Sequence, residues 1–189
     1  EFTARRIILA TGSRPVLPGP WAALGERVLT TDSLFERANL PRRIAVIGLG
    51  AIGVEMAQAM ARLGIEVSAF SSSERLAGLQ DQKVNATLRA LLDHEFAIHT
   101  GHRVELEAAG DGVRVRAGNT HVEVDAVLAA IGRRPNLDDV GLDTLGVPLD
   151  DKGLPPFEPG LLRIGDTPVF IAGDVNTHAP ILHEAADEG

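Results

Sequence analysis

Gly48, Gly50 and Gly53 stand at the spacing Gly-x-Gly-x-x-Gly, directly after the apolar run Ile44-Ala45-Val46-Ile47. Glycines at this spacing between a strand and a helix are suited to holding a pyrophosphate. The first allows a tight turn. The second lets backbone approach phosphate oxygens with no Cβ in the way, and the third lets the helix pack closely on the strand. The helix N-terminus then offers unpaired N–H groups and a positive dipole end. Leu49, Ala51 and Ile52 fill the intervening positions and Glu55 follows, so this run is the candidate dinucleotide cradle.

The tip of the second strand of such a unit meets the adenosine ribose. An acid there accepts from the 2′-hydroxyl of NAD and repels the 2′-phosphate of NADP. Here the tip reads Phe70-Ser71-Ser72-Ser73-Glu74-Arg75. Ser71 holds the acid's place and Glu74 lies three positions late. Three hydroxyls and Arg75 could receive a 2′-phosphate, so the residue types lean toward NADP and leave NAD open. Gly132, just past the apolar run 126–131, is either a second place for a ligand to approach backbone or the opening of a plain loop. Asp174, after Gly173 at the end of the run 169–172, can accept from a ribose or ribitol hydroxyl or cap its own turn. Thr11-Gly12-Ser13, taken alone, is a turn.

These residues need a parallel α/β frame. The spacing predicts a strand through Ile7 to Ala10 and a Pro-rich connector over 14–20. A short helix over Ser33 to Ala38 is capped by Thr31 or Asp32, and Pro41 ends it. Apolar Ile52, Met56, Met60 and Leu63 predict one buried face for the helix after Gly53, and Gly64 its stop. Ile65 to Phe70 is the second strand, completing a βαβ unit. Gln82 to Phe96 reads as a helix with Val84, Leu88, Leu91 and Leu92 apolar, followed by a strand at Phe96 to His99. From Arg103 the apolar period becomes two, predicting an antiparallel meander whose last strand is Val127 to Ile131. Residues 137–168 read as a connector with a short strand near Leu161 to Ile164. Val169 to Ala172 is a strand, and Leu182 to Gly189 opens a helix.

Composition narrows the function. The chain has 189 residues and no cysteine, so it supplies no disulfide, thiolate nucleophile or cysteine metal site. The absence of Tyr excludes a short-chain dehydrogenase, and the absence of Cys excludes the Cys-x-x-Cys module of a small thioredoxin reductase. A formal charge of −8 argues against nucleic acid as a partner. No apolar run is long enough for a membrane span, and a cytoplasmic location is expected.

Four motifs stand in order: Ala10-Thr11-Gly12-Ser13-Arg14-Pro15, Val46 to Glu55, Ala130-Ile131-Gly132-Arg133-Arg134-Pro135-Asn136, and Ile171-Ala172-Gly173-Asp174. With the closing Ala185 to Gly189 they resemble the class I pyridine nucleotide–disulfide oxidoreductases, most nearly the dihydrolipoamide dehydrogenase pattern. The resemblance implies an FAD-binding domain split in sequence around an NAD(P)-binding domain. Residues 1–33 would be an FAD-domain strand and crossover, residues 34–152 the NAD(P)-binding domain, and residues 153–189 the return segment. The implied fold is α/β: a Rossmann-like parallel sheet with an antiparallel β-meander, flanked by pieces of the split domain.

By the same resemblance Gly48 to Glu55 cradle the dinucleotide, with Glu55 near the nicotinamide. Ser71 stands where NAD-dependent members often carry Glu, Val104 lines the adenine, and Gly132 closes the site. Thr11, Gly12, Ser13, Asp174 and the segment Pro180-Ile181-Leu182-His183 would contact FAD, while Arg133 and Arg134 support the loop. The parent would be a homodimer. The chain is expected to be a piece of a longer protein, lacking redox cysteines and inactive alone. Two alternatives stay open: a non-catalytic nucleotide-sensing module and a flavin reductase with a non-disulfide acceptor.

Overall fold

The computed structural model describes residues 3–178 and 182–188. In chain order its elements begin with β1 (Ile7–Leu9), β2 (Ser13–Pro15), α1 (Gly19–Ala22), β3 (Val28–Leu29) and α2 (Thr31–Phe35). The central elements are β4 (Arg43–Ile47), α3 (Ala51–Arg62), β5 (Glu66–Phe70), α4 (Gln82–Leu92) and β6 (Ala97–His99). Next come β7 (Val104–Ala109), β8 (Gly112–Ala117), β9 (Thr120–Val124) and β10 (Ala126–Ala129). The last are β11 (Arg133–Pro135), β12 (Phe157–Glu158), β13 (Arg163–Ile164), β14 (Val169–Ile171) and α5 (Leu182–Asp187). Contacts divide the chain into two units, one of residues Pro15–Gly132 and the other of the described residues before Pro15 and after Gly132. The sequence reading put the boundaries after residues 33 and 152. Strand β3 pairs with β10, which draws residues before 34 into the larger unit, and Leu137 and Leu142 belong to the core of the smaller one.

In the larger unit a parallel sheet has the order β3-β10-β4-β5-β6. Its central strands β4 and β10 are buried on both faces, as a sheet covered on both sides requires. Ile44 and Val46 face one core with Val54, Ala57 and Met60 of α3 and Leu92. Ala45 and Ile47 face a second core with Val113, Val115 and Val124 of the meander. The meander β7-β8-β9 alternates as a strand set must when one face is buried: Val113, Val115 and Ala117 turn inward, while Arg114 and Arg116 turn out. Helices α2, α3 and α4 cover one face of the parallel sheet, and the meander, with Trp21 of α1, covers the other.

The expected α/β class, with parallel and antiparallel sheets, is what the structure has, while several local expectations change. Val127 to Ile131 does not close the meander; β10 lies in the parallel sheet between β3 and β4. Its four residues are all buried, which suits a central strand and not a half-exposed one. On α3 the buried residues are Gly53, Val54, Ala57 and Met60, while Ile52 and Leu63 are 40% and 70% exposed. Met60 is buried as expected, while Gly53 and Ala57 take the places nearest the sheet. Gly64 does end α3: the Gly64 and Ile65 N–H groups donate to Ala61 O and Met60 O at 2.9 and 3.1 Å, a Schellman pair. Helix α4 stops at Leu92 and leaves Val84 and Leu91 exposed.

Helix α2 is capped one residue earlier than expected. The Thr30 hydroxyl accepts from the Ser33 N–H at 3.3 Å and the Ser33 hydroxyl accepts from the Thr30 N–H at 3.0 Å. Thr30→Ala removes half of this reciprocal cap and is expected to cost about 1 kcal/mol. A urea denaturation midpoint checks it.

In the smaller unit β1 pairs in parallel with β14, and β14, β13 and β12 follow antiparallel. The core there is Leu137, Leu142, Ile164, Val169, Ile171 and Val175. Residues 137–168 thus contain β12 besides the one short strand expected.

Candidate functional site

From β4 the chain passes to β5 and β6 on one side, while β10 lies on the other. The carboxyl ends of β4 and β10 therefore flank a switch point, where ligands of open α/β sheets bind. Gly48 leaves β4 with φ +96°, and its N–H donates to Phe70 O at 2.8 Å. A Cβ on Gly48 would lie 2.3 Å from Ala130 O, and one on Gly53 would lie 1.8 Å from Gly48 O. Both glycines are required by backbone packing. Gly50 is different: it is exposed, and nothing lies within 4 Å of its Cβ position. Beside it α3 starts with no side-chain cap. The first helical N–H groups have no intrahelical partner, and Gly50, Ala51 and Ile52 at this end are exposed. Leu49 points the other way; it is 2% exposed in the helix-side core, so only its backbone faces a ligand. Glu55 is exposed on the second turn of α3.

Gly132 is exposed three residues past β10, with φ +118°. The Ala130 N–H donates to Ile47 O at 2.7 Å, so the end of β10 is tied to the turn holding Gly48. Ser71 is buried at the tip of β5 and its Oγ accepts from the Ser73 N–H at 3.1 Å. Arg75 is exposed and donates to Gln80 Oε1 at 2.6 Å. Val104 opens β7, half-buried against the meander-side core. At the end of β6, His99 stacks on Phe70 with ring centroids 4.8 Å apart. Burial first, and the charge of Arg89 second, hold its pKa below the ordinary histidine value.

The smaller unit brings three of the motifs together. The Thr11 hydroxyl donates to Asn136 O at 2.7 Å, and the Asn136 N–H donates to Gly12 O at 2.9 Å. The Ser13 hydroxyl donates to Asp174 Oδ2 at 3.2 Å. Arg133 donates to Ser13 Oγ and O at 2.8 and 2.7 Å, and Arg134 pairs with Asp138 at 2.6 Å. Arg14 also pairs with Asp138. Hydrogen bonds from Arg14 and then Arg134 hold the Asp138 carboxyl below its usual range. His183 is exposed on α5, while Pro180 and Ile181 lie outside the described residues. Among the described residues no group of acidic or histidine side chains could hold a metal, and no helix is long and apolar enough to cross a membrane.

The family profile described as pyridine nucleotide-disulphide oxidoreductase matches residues 1–189. The chain belongs to this family. It is 33% identical to dihydrolipoyl dehydrogenase of Chlamydia muridarum over 190 residues, covering 98% of the chain and 41% of that protein. Among solved structures it is similar to the Cu(II) complex of the HOCl-induced flavoprotein disulfide reductase RclA from Escherichia coli. There the TM-score is 0.88 at 22% identity, over 97% of this chain and 42% of that one. It is also similar to a water-forming NADH oxidase from Lactobacillus brevis bound to NADH. That TM-score is 0.84 at 25% identity, over 99% and 45% of the two chains. The chain thus spans about two fifths of the length of the curated dihydrolipoyl dehydrogenase it matches.

For a pyridine nucleotide–disulfide oxidoreductase, the glycine turn, the tip of β5 and Gly132 share the carboxyl ends of one parallel sheet. The residues around Thr11 and Asp174 belong to the other unit. Sequence reasoning gave no role to Asn136, Asp138 or Thr100. Asn136 bonds Thr11 and Arg14, and Asp138 joins Arg14 to Arg134, so each needs a partner more than 120 residues away. Thr100 shows its role only once β6 is set beside β5.

Proposed function

We propose that the chain is the NAD(P)-binding portion of a flavin-dependent, dihydrolipoamide dehydrogenase-like oxidoreductase, holding nicotinamide for hydride exchange with FAD. The observation that carries this reading is the contrast among the three glycines. Backbone fills the Cβ positions of Gly48 and Gly53, while that of Gly50 is open beside an uncapped helix end. Such a shape suits a pyrophosphate: nothing crowds it, and N–H groups and the helix dipole offset its charge. Glu55, on the exposed side of α3, is assigned to the nicotinamide end, Val104 to the adenine and Gly132 to closing the site. Thr11, Gly12, Ser13, Asp174 and His183 are assigned to FAD, and the smaller unit that carries them to its domain. In the bound enzyme the nicotinamide supplies or takes a hydride, and this chain's residues bind and orient it. No thiol is present here, so disulfide chemistry calls on groups other than these 189 residues. The expected setting is a cytoplasmic homodimer.

Titration of the chain with NADH, followed by nicotinamide fluorescence, tests the reading. Gly50→Ala is expected to weaken binding at least about tenfold, equivalent to about 1.4 kcal/mol, with an unchanged urea midpoint. Undetectable binding at millimolar NADH, or wild-type affinity in Gly50→Ala, would refute the cradle. A flavin reductase with another acceptor is the second reading, supported by likeness to the NADH oxidase; it shares this cradle.

A further inference from the structure

The tip of β5 lacks an acid, yet a carboxylate is held beside it. Phe70 and His99 are register partners in the parallel pair β5–β6, and the Ser71 N–H donates to His99 O at 2.9 Å. Thr100 therefore lies beside Ser71, one strand spacing of about 4.8 Å away. The Thr100 hydroxyl donates to Glu74 Oε2 at 2.7 Å. The carboxylate takes the space over Gly101, where a Cβ would lie 2.6 Å from Glu74 Oε1. Its backbone is fixed as well, since Asn85 Nδ2 donates to Glu74 O at 3.1 Å.

The support continues behind Thr100. Arg89 donates to Thr100 Oγ1 at 2.9 Å and to Ile98 O at 3.0 Å, and it pairs with Asp93 at 3.5 Å. Asp93, Arg89 and Glu74 together carry one net negative charge, and Glu74 is the end of the row held by Thr100 beside the tip of β5. Arg75, the cation that a 2′-phosphate would need, is engaged with Gln80 instead.

Resting on the dinucleotide reading above, we propose that Glu74 is the specificity-determining residue, standing in for the missing acid at position 71 and making the site prefer NAD(H) to NADP(H). A ribose 2′-hydroxyl can donate to this carboxylate. A 2′-phosphate, with a charge of about −1.5 to −2 near neutral pH, meets like charge in a cluster that is already negative. Repulsion at this range amounts to about a tenfold change in affinity.

The test is a fluorescence titration of the chain with NADH and with NADPH, for wild type, Glu74→Gln and Arg75→Ala. Gln keeps an acceptor for Thr100 and removes only the charge. The wild type is expected to bind NADH about tenfold more tightly than NADPH, and Glu74→Gln to reduce that ratio to about twofold, chiefly by binding NADPH better. Equal affinities in the wild type, or a ratio unchanged by Glu74→Gln, would overturn the proposal while leaving the cradle standing. Selective loss of NADPH binding in Arg75→Ala would also overturn it, by giving the reading of the 2′ position to Arg75. Failure to bind either dinucleotide would overturn this proposal and the cradle together.

Discussion

Gly53→Ala is expected to destabilise the larger unit by about 2–3 kcal/mol, although it adds one methyl group in a helix. Helix propensity alone predicts a gain of about 1 kcal/mol from this change. Sterics decide the sign, because the new Cβ would lie 1.8 Å from Gly48 O and 2.9 Å from Gly48 C. Those atoms cannot step aside. The Gly48 N–H is bonded to Phe70 O, and Gly48 itself sits against Ala130, whose N–H is bonded to Ile47 O. Overpacking a rigid site costs about 1–3 kcal/mol and sometimes more, and this contact is backbone on backbone. The strain should appear as a lower urea midpoint with an unchanged slope. NADH binding should fall as well, because α3 must lift from the turn to make room. A midpoint equal to or above the wild type would mean that α3 does not rest on Gly48 as described. Gly50→Ala serves as the matched control, since the same methyl group there meets nothing within 4 Å.

This contrast also marks how far the sequence could be read. The spacing of Gly48, Gly50 and Gly53 identified the turn and both flanking elements, because each glycine answers a local geometric demand. The meander was legible for a similar reason: Val113 and Val115 alternate with Arg114 and Arg116, and that period belongs to one strand with one buried face. The placement of β10 was not legible. Its run Ala126-Val127-Leu128-Ala129 has no period, and an unbroken apolar strand fits a meander end or a central parallel position equally well until its neighbours are known. The buried face of α3 was read in part: Met60 is buried and Met56 packs beside it, while Ile52 and Leu63 lie at the exposed ends of the helix and Gly53, Val54 and Ala57 complete the face. At the candidate site, the sequence points to residues close together in the chain and passes over those joined across the sheet. Glu74 looks displaced by three positions on paper, yet Thr100 brings its carboxylate back to the strand tips. Nothing near Thr100 in the sequence announces that bond, since it depends on β5 and β6 lying side by side in one register.

Phe70→Ala is expected to be the most costly single truncation near the site, at about 4 kcal/mol. Phe70 is fully buried in the layer between the parallel sheet and the meander, among residues that include Val113, Val115 and Val127. Removing its ring leaves a cavity that rigid strands on both sides cannot close. It also removes the stacking partner of His99, at 4.8 Å. That second loss has its own readout. The pKa of His99 is lowered first by burial and second by Arg89. A lowered histidine pKa means that, as pH falls through the ordinary value of 6.5, the unfolded chain takes up the proton first. The stability held by neutral His99 is therefore complete above that pH and is lost as pH falls toward the folded-state value. With the ring gone, water reaches the imidazole and the larger cause weakens. The His99 pKa, followed by NMR titration, should move back up toward 6.5, and the fall in stability below that pH should flatten. Phe70→Leu separates the two effects, since it restores much of the apolar volume without an aromatic face. It should recover most of the stability and, by keeping water from the imidazole, bring the His99 pKa back down below 6.5. A Phe70→Ala protein with an unmoved His99 pKa would show that neighbours other than Phe70 keep the imidazole dry. The His99 carbonyl holds the Ser71 N–H, so the disturbance should also reach the strand tip and weaken whatever the tip of β5 binds.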